Sequence, residues 1–344
     1  MTKKVFLVAG GTGGHIFPAI ALTERNKKYK YFFLVDKRTE GLVSERKIKY
    51  YKVFSARSPR NFFAIPISFI KIISGIFQSL ILILKHRPSL IIGFGGYTSI
   101  PSLISAKMLG IKTLIHEQNA IMGKTNRILS LLSDKVAITF KTTKFSKSSS
   151  VHTGIPVRKI RRKKNIKKKG KVLLILGGSQ GARIFSEILP KIIKNFNSDK
   201  LKNIIIIQQA RKEDKSKLIK IYNELGVKYK IKTFFRNIYD EIGKSDVIIS
   251  RCGSSTLAEI ELFQKYSVLF PLPSSMDNHQ HYNAMEFKKN NACEIVDERK
   301  INYSSLSRNI QEKLFFKKNL NFSNKTKQNM VKKPIEKLID EILT

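Results

Sequence analysis

The chain has 344 residues, enough for about two domains of ordinary size, so a single small domain is excluded. Hydrophobic residues make up 42% and no 20-residue stretch is free of polar interruption, which excludes both a disordered chain and a polytopic membrane protein. Sixty-five Lys and Arg against 25 Asp and Glu leave a formal charge of +40 that favours anionic partners; a codon bias inflating Lys, Ile and Asn together is the competing source.

The first apolar run, residues 5–9, follows Lys3 and Lys4 but is too short for a signal-peptide core, so the N-terminus is expected to stay inside the cell. GGTGGH follows at residues 10–15, ahead of a helix expected from about Pro18. Glycines at such a turn let main-chain N–H groups approach a phosphate or sugar, and a helix N-terminus favours negative charge. As a dinucleotide fingerprint the loop fails, because Ile16 stands at the third glycine position. Asp36, closing a strand at 31–35, nevertheless stands where a dehydrogenase holds a ribose, which leaves a nicotinamide enzyme open.

Residues 62–84 are the most apolar stretch. Pro66 and Lys71 interrupt it, and Ser68, Lys71, Gly75, Gln78 and Leu82 recur at helical spacing as a narrow polar stripe that a spanning helix does not need. The spacing predicts an amphipathic helix from about Pro66, with part of its apolar surface buried in the domain. The remainder, near Phe62, Phe63, Lys71, Lys85 and Arg87, suits an anionic bilayer, where each basic residue adds about 1 kcal/mol. Core packing alone and a true span are the alternatives.

Short apolar runs at 90–92, 113–116 and 136–139 continue the strand–helix alternation. After Pro156 it begins again, with runs at 172–176, 204–207, 230–234, 247–250 and 268–270. The predicted fold is α/β: two Rossmann-like domains with parallel sheets facing a central cleft, the first at 1–157 and the second at 158–344. Residues 158–171 hold ten basic and no acidic side chains, as a solvated linker does. Each domain opens with its own glycine loop, GGTGG at 10–14 and GGSQG at 177–181. Residues 300–344 carry no motif, only predicted helices, the last of which is expected to pack back on the first domain.

Two further clusters follow strands, GFGGY at 93–97 and CGSST at 252–256. Tight turns account for any one loop; one anionic ligand at the strand ends accounts for all of them together. A helix opening at Ser254 turns the N–H groups of Ser254, Ser255 and Thr256 toward a diphosphate, and Glu259, one turn on, suits the two hydroxyls of a ribose. A buried ion pair between Glu259 and Arg251 is the alternative. HEQN at 116–119 places four polar side chains at a strand end, which a ligand or a polar network must satisfy. His279 and His281 point to different sides of a helix, and no Asp-x-Asp pair ends a strand, so neither a metal nor a cofactor is expected. Cys252 and Cys293 lack metal or disulfide spacing and fit a reducing cytoplasm.

Taken in order, GGTGGH, GFGGY, HEQN, G-x-PVR at 154–158, GGSQGAR at 177–183, RCGSSTLAEI at 251–260 and DNHQ…NA at 277–284 resemble one family closely, the bacterial MurG-type N-acetylglucosamine transferases. The resemblance implies a GT-B fold, with acceptor and membrane functions in the first domain and the sugar nucleotide in the second. It implies that Phe235 meets the uracil through its backbone and that Glu259 holds the ribose. Ser179 and the turn Ser254, Ser255, Thr256, with Leu257 and Ala258, serve the nucleotide and diphosphate. Arg158 closes from the hinge, Gln280 reaches the hexose, and Thr12, Gly13, Gly14 and Asn119 meet the sugar and acceptor. Ile155, His279 and Phe235 depart from the family's usual residues.

The implied reaction moves N-acetylglucosamine from UDP to the C4 hydroxyl of the muramoyl sugar of lipid I with inversion, giving lipid II. Single displacement needs a base for the hydroxyl and stabilisation of departing UDP. His15 is the first candidate for base, since an imidazole titrates near neutrality, and Glu117 the second. The expected partners are UDP-N-acetylglucosamine, lipid I and an anionic membrane surface, with the protein peripheral on the cytoplasmic face of the plasma membrane. A nucleotide-sugar epimerase on the same scaffold is the nearest rival. A specific nucleic-acid partner is not expected, because no recognition motif accompanies the charge.

Overall fold

The structure, a computed structural model, describes residues 2–56, 65–158, 170–178, 182–235, 237–316 and 334–344. Contacts divide the chain into two compact units, Met1–Lys159 with Val331–Thr344, and Ile160–Met330. Residues 159–169 of the basic run, Phe62 and Phe63 of the apolar stretch, and Ser179 lie outside the described residues.

In the first unit, seven parallel strands form one sheet: β1 (Lys4–Val8), β2 (Lys30–Val35), β3 (Tyr50–Lys52), β4 (Leu90–Gly93), β5 (Lys112–Glu117), β6 (Lys135–Ile138) and β7 (Val151–His152). Their order is β3-β2-β1-β4-β5-β6-β7. Alternate side chains of β1 enter opposite cores, Val5 and Leu7 on one face, Phe6 and Val8 on the other, which is why the interior strands read as unbroken apolar runs. The strand order reverses between β1 and β4, so the loops after these two strands flank the switch point where α/β sheets bind ligands.

The second unit repeats the plan with β8 (Lys171–Leu176), β9 (Ile204–Gln209), β10 (Lys228–Lys232), β11 (Val247–Ser250), β12 (Tyr266–Leu269) and β13 (Cys293–Ile295), ordered β10-β9-β8-β11-β12-β13 and all parallel. Its switch point lies between β8 and β11.

Two helices differ from the sequence reading. The first spans Gly13–Arg25 rather than starting near Pro18, because Thr12 is already the extended residue that caps it. Gly13 and Gly14 therefore sit in the first helical turn, while Gly10 and Gly11 lie ahead of the cap. The apolar helix spans Ile65–His86, and the expected burial of part of its apolar surface is confined to Ile83, which joins a core cluster of the domain, and Leu82 packed against it. Only Gly75, Ser79 and Ile83 are buried, and the helix packs on Ser99–Met108 through small polar contacts. Ser79 Oγ meets Ser102 Oγ at 3.1 Å, and Ser105 Oγ donates to the Ile76 carbonyl at 3.0 Å. A Cβ on Gly75 would stand 2.0 Å from the Phe54 carbonyl oxygen. The inward face is thus small and polar around Gly75 and Ser79 and apolar only at Ile83 and Leu82, while Phe69, Ile70, Phe77 and Ile81 are each more than 60% exposed.

The last helix, Ile335–Leu343, belongs to the first unit, where Ile335, Leu338, Ile339, Ile342 and Leu343 complete the core cluster of Val5 and Leu7. Glu336 pairs with Arg25 at 2.7 Å, and Asp340 accepts from Tyr29 at 2.5 Å. Burial, then that hydrogen bond, pushes the Tyr29 hydroxyl up to about 12.

Candidate active site

In the first unit the site is built where the loops after β1 and β4 meet. His15, half-buried in the first turn of its helix, has Nδ1 2.8 Å from the Gly10 carbonyl. A carbonyl can only accept, so Nδ1 carries the hydrogen and the neutral ring's lone pair is on Nε2. The ring lies against the second loop: a Cβ on Gly96 would be 3.1 Å from Nδ1 and one on Gly95 3.4 Å from Nε2. Both glycines have left-handed φ, +73° and +91°, so GFGGY is the wall of the imidazole slot. Thr12 is exposed at the helix cap, and Gly13 and Gly14 follow it.

HEQN is satisfied by a polar network. His116, fully buried, donates from Nε2 to the Gly154 carbonyl at 2.8 Å and accepts at Nδ1 from Gln118 at 3.0 Å. Burial pushes it down to about 4, so it is neutral and structural. Glu117, 2% exposed, accepts four hydrogen bonds: from the N–H and side-chain amide of Asn119 on one oxygen, and from Gly123 N–H and Asn126 Nδ2 on the other. A carboxylate so occupied braces the loop that presents Asn119. Asn126 in turn lies 3.3 Å from where a Gly95 Cβ would be, beside His15.

Asp36 does not stand open for a ribose. It is 8% exposed and accepts from Gly11 N–H at 3.0 Å, Thr39 Oγ1 at 2.9 Å and Tyr97 OH at 3.1 Å, tying the two glycine loops together. Arg158 lies 5.9 Å from the Phe17 ring, which Arg46 also flanks at 5.8 Å, and it forms no ion pair among the described residues. Burial and then the nearby Arg158 charge pull the Arg46 guanidinium below its usual range.

In the second unit the helix Ser254–Leu262 follows β11 through Arg251, Cys252 and Gly253. Leu257 N–H makes its first main-chain bond, to Gly253 O at 3.0 Å, so the N–H groups of Ser254, Ser255 and Thr256 project from its positive end. Leu257 itself is 2% exposed and faces the core, and half-buried Ala258 adds no polar group. Glu259 follows one turn along. The expected alternative partner for Glu259, Arg251, instead pairs with Glu298 and donates to the Phe270 carbonyl at 3.2 Å.

Gln280 is brought to the same loop. Its Oε1 accepts from Cys252 N–H and Leu272 N–H, each at 3.1 Å, which fixes the carboxamide against that loop. Ahead of it Asp277 and Asn278 both adopt left-handed φ near +50°, strain of the kind that clusters at ligand sites. Phe235 has its ring buried with Leu174, Leu176 and Ile207.

The model of the glycosyltransferase family 28 N-terminal domain matches residues 5–138, and that of the family 28 C-terminal domain matches residues 172–342. With two parallel-sheet units carrying glycine loops at their switch points, these matches define a glycosyltransferase of the GT-B class. A Rickettsia bellii protein named UDP-N-acetylglucosamine--N-acetylmuramyl-(pentapeptide) pyrophosphoryl-undecaprenol N-acetylglucosamine transferase is 37% identical over 298 residues, covering 82% of each chain. A Bartonella bacilliformis protein of the same name is 36% identical, over 89% of this chain and 84% of its own. The crystal structure of Acinetobacter baumannii MurG superposes with a TM-score of 0.75 at 26% identity, covering 99% of both chains. The chain belongs to the MurG family of N-acetylglucosamine transferases.

Proposed function

We infer that the chain transfers N-acetylglucosamine from UDP-N-acetylglucosamine to the C4 hydroxyl of the muramoyl sugar of lipid I, forming lipid II. The observation that carries this reading is the 37% identity to a transferase of that name over 82% of both chains. His15 takes the hydroxyl proton on Nε2 as the acceptor oxygen attacks the anomeric carbon. The bond from that carbon to the diphosphate breaks, and UDP leaves with the electron pair. The first unit takes the acceptor and the second the nucleotide. The positive helix end at Ser254, Ser255 and Thr256, with Ser179 and Arg158, receives the diphosphate charge. Phe235 meets the uracil, Glu259 the ribose, Gln280 the hexose, and Thr12, Gly13, Gly14 and Asn119 the sugar and acceptor. Glu117 is assigned to positioning Asn119 rather than to proton transfer, because four donors already hold its two oxygens.

The protein docks peripherally on the cytoplasmic face of the plasma membrane. The support is the outward apolar face of Ile65–His86, where Phe69, Ile70, Phe77 and Ile81 are exposed together with Lys71, Lys85 and Arg87. The 22-residue helix is long and apolar enough to cross a bilayer, but its packing on Ser99–Met108 favours an interfacial position.

Transfer of labelled sugar from UDP-N-acetylglucosamine to a lipid I analogue tests the assignment. His15→Ala is expected to lower kcat by about 10²–10⁴-fold. Glu259→Ala is expected to raise the donor KM about tenfold, for a lost charge-assisted contact. No transfer by the parent protein to any lipid I analogue would remove the reading.

A further inference from the structure

We propose that Asp36 is a positioning residue for His15, acting through the Gly10–Gly11 peptide. The inference rests on the reading of His15 as base. The carbonyl of that peptide accepts the His15 Nδ1 hydrogen at 2.8 Å, and the N–H of the same peptide donates to Asp36 Oδ2 at 3.0 Å. In a trans peptide these two groups point in opposite directions, so carboxylate, peptide and imidazole form one continuous chain. A carboxylate on the N–H end makes the carbonyl a stronger acceptor, as hydrogen bonds in series polarise one another by roughly 10–30% each. The imidazole is held in the Nδ1–H tautomer, and the positive charge it gains on taking a proton at Nε2 is stabilised.

The surroundings of Asp36 are built to hold its carboxylate still. Thr39 N–H and Oγ1 donate to Oδ1 at 3.1 and 2.9 Å, and Tyr97 OH donates to Oδ2 at 3.1 Å. Thr98 Oγ1 approaches Oδ2 at 3.4 Å and fills the space that a Gly10 Cβ would need, at 2.0 Å. Tyr97 and Thr98 directly follow Gly95 and Gly96, the wall of the imidazole slot. One carboxylate therefore sets both the peptide that His15 bonds and the loop against which its ring lies. Among the described residues, the charged and titratable groups about this region include Asp36, Arg38 and Tyr97, with Glu117 beyond the Asn126 amide and Arg46 and Arg158 about Phe17.

The sign of the effect follows from charge. Neutralising Asp36 makes the protonated ring less stable, so the acidic limb of kcat/KM moves to lower pH. Removing the Arg38 cation, whose Nη2 is 3.5 Å from Asp36 and whose side chain is 51% exposed, moves it to higher pH. The experiment is a ¹⁵N-histidine titration of the full-length protein. The His15 signal is identified among six histidines by its loss in His15→Gln, and transfer kinetics are measured across pH in parallel. Asp36→Asn is expected to lower the His15 titration midpoint by about half a unit or more. Its kcat is expected to fall about 3- to 10-fold with the donor KM within about twofold. Arg38→Gln is expected to raise the midpoint. If Asp36→Asn does not fold, Arg38→Gln alone decides. A midpoint that stays put would overturn the relay, whereas transfer that survives His15→Ala would overturn only the base assignment.

Discussion

His116 and His15 lie one on β5 and the other just after β1, yet their surroundings give them opposite work. His116 is wedged between Gly154 and Gln118 with no exposure, and burial holds it neutral down to about pH 4. Its folded value lies below the ordinary 6.5, so between those values the unfolded chain binds a proton that the folded chain does not. Stability is therefore complete above about pH 6.5 and is lost as pH falls toward about 4, by up to roughly 3 kcal/mol. Urea midpoints measured across that window are expected to decline steeply in the parent protein and less in His116→Asn. Placements fixed by sequence neighbours were legible: a helix opening at Ser254 directly after Gly253, and His15 at the turn after GGTGG. Asp36 was not. Its donors are residues 11, 38, 39 and 97, and only a folded sheet brings position 97 to position 36. Glu117 looked like a possible base because the amides that occupy it, on Gly123 and Asn126, belong to the next helix and its cap.

At the scale of elements, interior strands announced themselves as β-branched runs, whereas β3, β7 and β13 did not. These are edge strands of two or three residues, only partly buried, and their sequences, such as Tyr50–Lys52, carry no apolar run. The helix Ile65–His86 was legible in extent but not in orientation. Hydropathy finds a wide apolar face without saying whether protein or another apolar phase covers it. Gly75 decides the matter locally. Alanine there gains about 1 kcal/mol in helix propensity, yet its Cβ would meet the Phe54 carbonyl at 2.0 Å and Pro101 Cγ at 3.0 Å. Overpacking costs about 1–3 kcal/mol, so the clash prevails. Gly75→Ala is expected to lower Tm, and a Tm at or above that of the parent protein would refute the close helix contact.

For the whole molecule, the proposed membrane contact makes the outward apolar face of Ile65–His86 the part to test, and the +40 charge of the chain favours an anionic bilayer as the probe. Replacing Phe69, Phe77 and Ile81 together with Ser removes three side chains worth about 1.5–3 kcal/mol each when buried. Cosedimentation with phosphatidylglycerol vesicles is expected to drop more than about tenfold, with binding of UDP-N-acetylglucosamine unchanged. Retention of vesicle binding would locate the membrane contact elsewhere.

The return of Ile335–Leu343 to the first unit bears on biosynthesis. On the ribosome, the strand that opens this unit emerges first and the helix that seals its core emerges last, after the entire second unit has left the exit tunnel. The nascent first unit waits through most of translation with Val5, Leu7 and Tyr29 lacking five of their apolar neighbours. A stop codon ahead of residue 335 would therefore damage the half of the protein farthest from it in sequence.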